Sequence, residues 1–338
     1  MCVKLANMDA TMKPLEIRIQ DFPNQLTWQP VVENPGLPAE YEFVIAAGMG
    51  GSSAGAFLLR SANPSVPIIL HRDYGLPPLP EAVLKRSIVI TSSYSGNTEE
   101  TIDAFSEAVR RNLPVACIAT GGKLLEEARN KRVPFVAVPD THIEPRNAVG
   151  FMVRAFLKVL GKDEELRNME LVPKKFSMDE LEQEGKNLSE KLKGFFPIIY
   201  ASTSNEAVAY NWKIRFNETA KIAAFSNVFP ELTHNENMGF EFSGEQEKLG
   251  QPFAVVMLGD ESDHPRVRLR MDLVADMYQK RNIPVVRQEL MGETAWEKIF
   301  RSLYVCDWAA YYIGRAYGLD VEGEQTVTEF KKRMASKY

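Results

Sequence analysis

The stretch Thr91-Ser92-Ser93-Tyr94-Ser95-Gly96-Asn97-Thr98 crowds hydroxyl side chains around one glycine. It follows the apolar run Ile88-Val89-Ile90 and leads into a helical pattern. A strand that ends in hydroxyls and then starts a helix can hold a phosphate group. The first amides of the helix have no intrahelical acceptor, and that end carries partial positive charge. Ser and Thr hydroxyls add neutral donors without any metal. A second turn, Gly48-Met49-Gly50-Gly51-Ser52-Ser53-Ala54-Gly55, follows Phe43-Val44-Ile45-Ala46-Ala47 in the same way. In a parallel sheet both turns fall at the C-terminal edge, where open α/β folds bind ligands. Crowding in a tight strand-to-helix turn would account for either glycine cluster alone. Two such turns, both bearing hydroxyls, point to phosphate.

Other side chains could move protons or stabilise charge. Glu218 lies in the helical segment Asn211-Trp212-Lys213-Ile214-Arg215-Phe216-Asn217-Glu218-Thr219-Ala220-Lys221. Trp212, Phe216 and Ala220 form a stripe there that faces a core. On these residues alone Glu218 reads as a solvated carboxylate paired with Lys221 at i+3. The histidines are His71, His142, His234 and His264, and none is spaced as a zinc pair on a clear helical face. His234 falls in the polar stretch Glu231-Leu232-Thr233-His234-Asn235-Glu236, where it is either an acid/base group or a surface residue. Arg146, in Glu144-Pro145-Arg146-Asn147-Ala148, follows the fifth expected strand and precedes a helix. It either stabilises an oxyanion at the sheet edge or lies on the surface.

These residues need elements to position them. Val- and Ile-rich runs bounded by Gly or Pro predict buried parallel strands over Phe43–Gly48, Val66–His71, Arg86–Thr91, Val115–Thr120 and Pro134–Val138. Helices are expected over Ser53–Ser61, Thr98–Arg111, Lys123–Asn130 and Asn147–Leu160, which makes a doubly wound sheet. The pattern restarts with strands at Pro197–Ser202, Phe253–Leu258 and Val285–Leu290, and helices at Asn205–Ala223, Arg266–Arg281 and Thr294–Tyr317. The fold class expected is α/β, with two doubly wound α/β/α domains of parallel sheet, flavodoxin-like. The expected organisation is an irregular, proline-punctuated N-terminal arm over 1–39, a first domain over 40–160, a connector over 161–194 and a second domain over 195–338 ending in a helix. The connector holds one expected helix, Ser177–Lys193.

At 338 residues, with 25% charged and 45% apolar side chains, the chain reads as a soluble protein of two domains. A net charge of −5 offers no basic field for nucleic acid. Cys2, Cys117 and Cys306 read as ordinary thiols in a reducing compartment. No signal peptide or membrane span is visible, so a cytoplasmic location is expected.

Taken in order, Gly48-Met49-Gly50-Gly51-Ser52, Ser93-Tyr94-Ser95-Gly96-Asn97-Thr98, Pro145-Arg146, Asn217-Glu218 and His234-Asn235 resemble the bifunctional phosphoglucose/phosphomannose isomerases. That group is a branch of the phosphoglucose isomerase superfamily built from two sugar-isomerase (SIS) domains. The resemblance covers roughly residues 40 to 335. The phosphate turn is shared with sugar-phosphate regulators and aminosugar isomerases. The Asn-Glu helix followed sixteen residues later by a histidine is more specific to the branch.

The resemblance implies a phosphate site of Gly50, Gly51, Ser52, Ser93, Ser95 and Thr98. It implies Glu218 as catalytic base, Arg146 near the reacting carbons, and His234 as the group that opens the sugar ring. It further implies a homodimer in which His234 reaches the site from the other subunit. A C-terminal lysine matches Lys331, and Thr326 is the candidate for a threonine linked to mannose activity. The activity implied is interconversion of glucose 6-phosphate and mannose 6-phosphate with fructose 6-phosphate through a cis-enediol, with neither cofactor nor metal. Two other readings stay open. Gly48-Met49-Gly50 with Asp73 begins a dinucleotide fingerprint, although Ser53 stands at its third glycine. A non-catalytic sugar-phosphate sensor would use the same turns.

Overall fold

The computed structural model describes residues 13–38, 40–241 and 252–336. The chain divides into two compact units, Met1–Ser177 with Met291–Arg301, and Met178–Leu290 with Ser302–Tyr338. The division falls inside the expected connector, where the helix Met178–Leu192 begins.

In the first unit β1 (Phe43–Gly48), β2 (Ile68–His71), β3 (Ser87–Ser92), β4 (Val115–Ala119) and β5 (Phe135–Ala137) form a parallel sheet of order β2-β1-β3-β4-β5. Alternate side chains of a strand face opposite sides. Ile45, Val89 and Cys117 share one core with Phe105 and Leu124 of the helices Glu99–Arg110 and Gly122–Asn130. Val44, Ile88 and Ile90 point the other way and are just as buried. A sheet buried on both faces requires helices on both, which is why its strands read as continuous apolar runs.

The second unit repeats the plan with β6 (Phe196–Ser202), β7 (Phe225–Phe229), β8 (Phe253–Gly259) and β9 (Val285–Glu289) in the parallel order β7-β6-β8-β9. The strand β7 is absent from the sequence expectation. It is an edge strand whose Phe225, Ser226 and Asn227 stay at least partly exposed, so its sequence mixes polar and apolar residues. The helix Asp163–Leu171 adds a second element to the expected connector.

The N-terminal arm also departs from expectation. Among its described residues Leu15–Gln20 and Phe22–Gln25 are helical. Such short helices are marginal alone, and burial of Leu15, Ile19, Phe22 and Leu26 fixes them. Among the described residues no helix is long and apolar enough to cross a membrane.

Candidate functional site

The strand order of the first sheet reverses between β1 and β3, the switch point at which doubly wound sheets bind ligands. Gly48 at the end of β1 stands opposite Ser92 at the end of β3, so the two turns emerge level with each other. They are also fastened together. Ser52 Oγ accepts the Tyr94 N–H at 2.8 Å, and Ser92 Oγ donates to the Ser52 carbonyl at 3.1 Å.

Each turn is shaped by its glycines. Gly50 opens the helix Gly50–Ala62 at φ +49, and Gly96 sits at φ +70. A Cβ on Gly96 would lie 1.8 Å from the Gly121 carbonyl oxygen, so only glycine fits there. Within the second turn Ser93 Oγ accepts the Gly96 N–H at 3.0 Å and pairs with Thr98 Oγ1 at 2.8 Å. Ser95 Oγ accepts the Asn97 N–H at 3.3 Å. Gly50 and Ser95 are exposed and Thr98 is half-buried, whereas Gly51, Ser52 and Ser93 are buried. The rim donors are therefore Gly50, Ser95 and Thr98, backed by a buried row of hydroxyls. Burial also raises the Tyr94 phenol pKa.

Arg146 lies on the short turn Pro145–Asn147 beyond β5. Gly51 brings that turn to the same sheet edge: a Cβ on Gly51 would meet the Pro145 carbonyl at 2.6 Å and the Arg146 nitrogen at 2.7 Å. The Arg146 side chain is fully buried, contrary to the surface alternative. Glu144 Oε1 stands 4.0 Å from Arg146 Nη2, and the other Glu144 oxygen accepts from Arg18 Nη1. Gln25 braces the next residues, donating to the Asn147 carbonyl at 2.7 Å and accepting the Gly150 N–H at 3.0 Å. Arg18, Gln25 and Glu144 carry no sequence signal for this role. Arg18 and Gln25 come from an arm more than a hundred residues away in the chain.

In the second unit the helix Glu206–Arg215 widens into a π-helical turn, Phe216–Ala220, and Glu218 sits half-buried on it. Single π turns inside α-helices recur at functional sites. Trp212, Phe216 and Ala220 are fully buried, as the stripe predicts. Asn217 accepts the Ala224 N–H at 2.8 Å, and Lys221, at φ 57, ends the helix and donates through Nζ to the Gly323 carbonyl. Behind the turn a buried ion pair joins Arg215 Nε to Asp307 Oδ1 at 2.7 Å.

His234 closes the short helix Glu231–His234 and is exposed. Its neighbour Glu236 is held by the Tyr200 hydroxyl and by Asn227 Nδ2. Thr233 Oγ1 accepts from Arg270 at 2.7 Å and donates to the Pro230 carbonyl at 2.6 Å. Lys331 and Thr326 are exposed on the helix Gln325–Ala335. Five residues apart, they point about 140° from one another on an α-helix. The first unit thus gathers Gly50, Gly51, Ser52, Ser93, Ser95, Thr98 and Arg146 at one sheet edge. Glu218, His234 and Lys331 belong to separate elements of the second.

A family model described as the bacterial phospho-glucose isomerase C-terminal SIS domain matches residues 181–334. A bifunctional phosphoglucose/phosphomannose isomerase of Aquifex aeolicus is 29% identical over 320 residues, covering 94% of this chain and 97% of that one. Its counterpart from Caldicellulosiruptor bescii is 31% identical over 309 residues, covering 86% and 89%. The solved tagatose-6-phosphate ketose/aldose isomerase from Escherichia coli aligns with a TM-score of 0.63, at 14% identity, over 92% of this chain and 95% of that chain, a likeness of fold alone. The chain belongs to the bifunctional phosphoglucose/phosphomannose isomerase family.

Proposed function

We propose that the protein is an aldose–ketose isomerase that interconverts glucose 6-phosphate and mannose 6-phosphate with fructose 6-phosphate. The observation that carries this reading is the pair of hydroxyl-bearing turns stitched together at the switch point of the first sheet. The first unit grips the phosphate through Ser95, Thr98 and the amides of Gly50 and Gly51, with Ser52 and Ser93 behind them. Binding energy from that remote group is available to orient the reacting carbons.

The proton chemistry belongs to the second unit. Glu218 removes the proton from C2 of the aldose while the C1 oxygen gains one, which gives a cis-enediol. The same carboxylic acid returns the proton to C1, and O2 releases its own as the ketone forms. Electrons balance within the sugar, so no external acceptor takes part. Arg146 stabilises the enediolate charge. His234 and Lys331 move protons at the ring oxygen and O1, with His234 supplied across a homodimer. Glucose and mannose 6-phosphates differ only at C2, which is planar in the enediol, so one site can serve both.

A coupled assay in D2O tests this reading. The expected result is fructose 6-phosphate formed from either aldose, with solvent deuterium appearing at C1. Binding of both sugars without turnover would identify a sensor instead.

A further inference from the structure

Arg215 is the last residue of the α-helix Glu206–Arg215, and the π turn that carries Glu218 begins at the next position. The Arg215 side chain is fully buried, and Asp307 beside it is nearly so. Asp307 lies on the helix Ala295–Ala316, whose residues from Ser302 onward belong to the same unit. Arg215 Nε stands 2.7 Å from Asp307 Oδ1. Arg215 Nη1 reaches back one turn and donates to the carbonyl and the side-chain oxygen of Asn211, both at 3.3 Å. Asn211, itself buried, donates to the Ala207 carbonyl at 2.8 Å. A polar line therefore runs through the core along positions 207, 211 and 215, and it ends where the helix widens.

The helix Ala295–Ala316 meets this segment on either side of the ion pair as well. Before it, Trp212 Nε1 donates to Ser302 Oγ at 2.9 Å. After it, a Cβ on Gly314 would lie 3.0 Å from the Thr219 carbonyl oxygen, so glycine lets the backbone of the turn close onto the helix. Packing alone does not call for a charge here. Well-packed apolar side chains of similar volume often stabilise a core as well as a buried ion pair does, and the best-attested use of such a pair is to fix register. Register is what a π turn needs. The Lys221 N–H bonds the Phe216 carbonyl five residues back, whereas an α-helix uses the carbonyl four back. An α-helical turn advances each residue by about 100°, more than the wider turn does, and would aim Glu218 in another direction.

We propose that Arg215 and Asp307 are positioning residues for Glu218, and that their ion pair locks the helix in the register that keeps the π turn open. They act through the backbone of the turn. This assignment rests on the role given to Glu218 above and extends it to two residues for which the sequence carries no motif.

The test uses the full chain. Arg215→Met alone strands a buried carboxylate and should melt well below the wild type, so it decides nothing about register. The deciding variant is Arg215→Met/Asp307→Leu, which replaces both charges by apolar side chains and should melt at or above the wild-type temperature. In its crystal structure the expected result is loss of the π turn over 216–220, with the Lys221 N–H no longer on the Phe216 carbonyl. In steady-state kinetics kcat should fall about tenfold or more for glucose 6-phosphate and for mannose 6-phosphate alike, the scale of a misplaced catalytic group. KM should stay within about threefold, because the phosphate is gripped by other residues.

A double variant that keeps the π turn overturns the proposal. So does one whose kcat equals that of the wild type, or one whose activity falls only in step with its folded fraction, which marks a purely structural pair. Failure of the wild-type protein in the isomerase assay, by contrast, removes the functional reading, while the crystal structure of the double variant still decides whether the ion pair holds the turn.

Discussion

Ser52 Oγ accepts the backbone N–H of Tyr94 at 2.8 Å, and this bond ties the turn after β1 to the turn after β3. Both residues are buried, so the bond has no water to replace it. Ser52→Ala leaves a buried amide without its acceptor and should cost about 1–3 kcal/mol of stability. It should also raise KM for the sugar phosphates more than it lowers kcat, because the cradle is proposed to grip a remote group. Thermal melting and steady-state kinetics measure both. An unchanged KM would show that the two turns do not act as one anion site.

Gly51 controls the position of Arg146. Its missing side chain lets the Pro145 carbonyl approach to where a Cβ would be 2.6 Å away, and both partners of that contact are backbone. Gly51→Ala must push the Pro145–Asn147 turn outward, at about 1–3 kcal/mol for an overpacked site. Activity should fall further than stability does, because Arg146 moves with the turn. Melting temperature and kcat/KM distinguish the two effects, and activity that simply tracks folded fraction would contradict the link.

The core that supports the His234 segment should be sensitive to base. Burial, above all, pushes the Tyr278 phenol from 10.0 up to about 12. Its hydroxyl donates to Asn237 Oδ1 at 3.0 Å, three residues beyond His234. The unfolded chain gives up that proton at the ordinary pKa and the folded chain only above it. The contribution of Tyr278 to stability is therefore whole below about pH 10 and is lost as pH rises through about 12. Tyr278→Phe should melt with a shallower dependence on pH over that interval. A slope equal to that of the wild type would assign the loss to other groups.

The sequence made the first sheet legible because its strands are buried on both faces. Their Val and Ile runs need no alternation to be recognised, and β1 begins and ends where those runs do. The edge strand β7 escaped because a half-exposed strand carries Ser226 and Asn227 among its aromatics. The π turn at Glu218 was not legible either. Trp212, Phe216 and Ala220 at four-residue spacing suit an α-helix, and one widened turn barely alters that pattern. The hydroxyls of the phosphate turns could be read locally, since strand, turn and helix are consecutive. The Arg18–Glu144 pair could not, because its members are brought together only by tertiary packing of the arm.

One carboxylate is proposed to serve both aldoses, and Glu218→Gln is the substitution that isolates it. Glu218 lies half-buried on a turn anchored by the fully buried Phe216 and Ala220, so the amide should fit without unfolding the helix. The measurement is kcat for glucose 6-phosphate and for mannose 6-phosphate in the same preparation, beside a melting curve. Both rates should fall together by about a hundredfold or more, the usual scale for loss of an acid–base group, while the melting temperature holds. Either rate remaining near that of the wild type would contradict it.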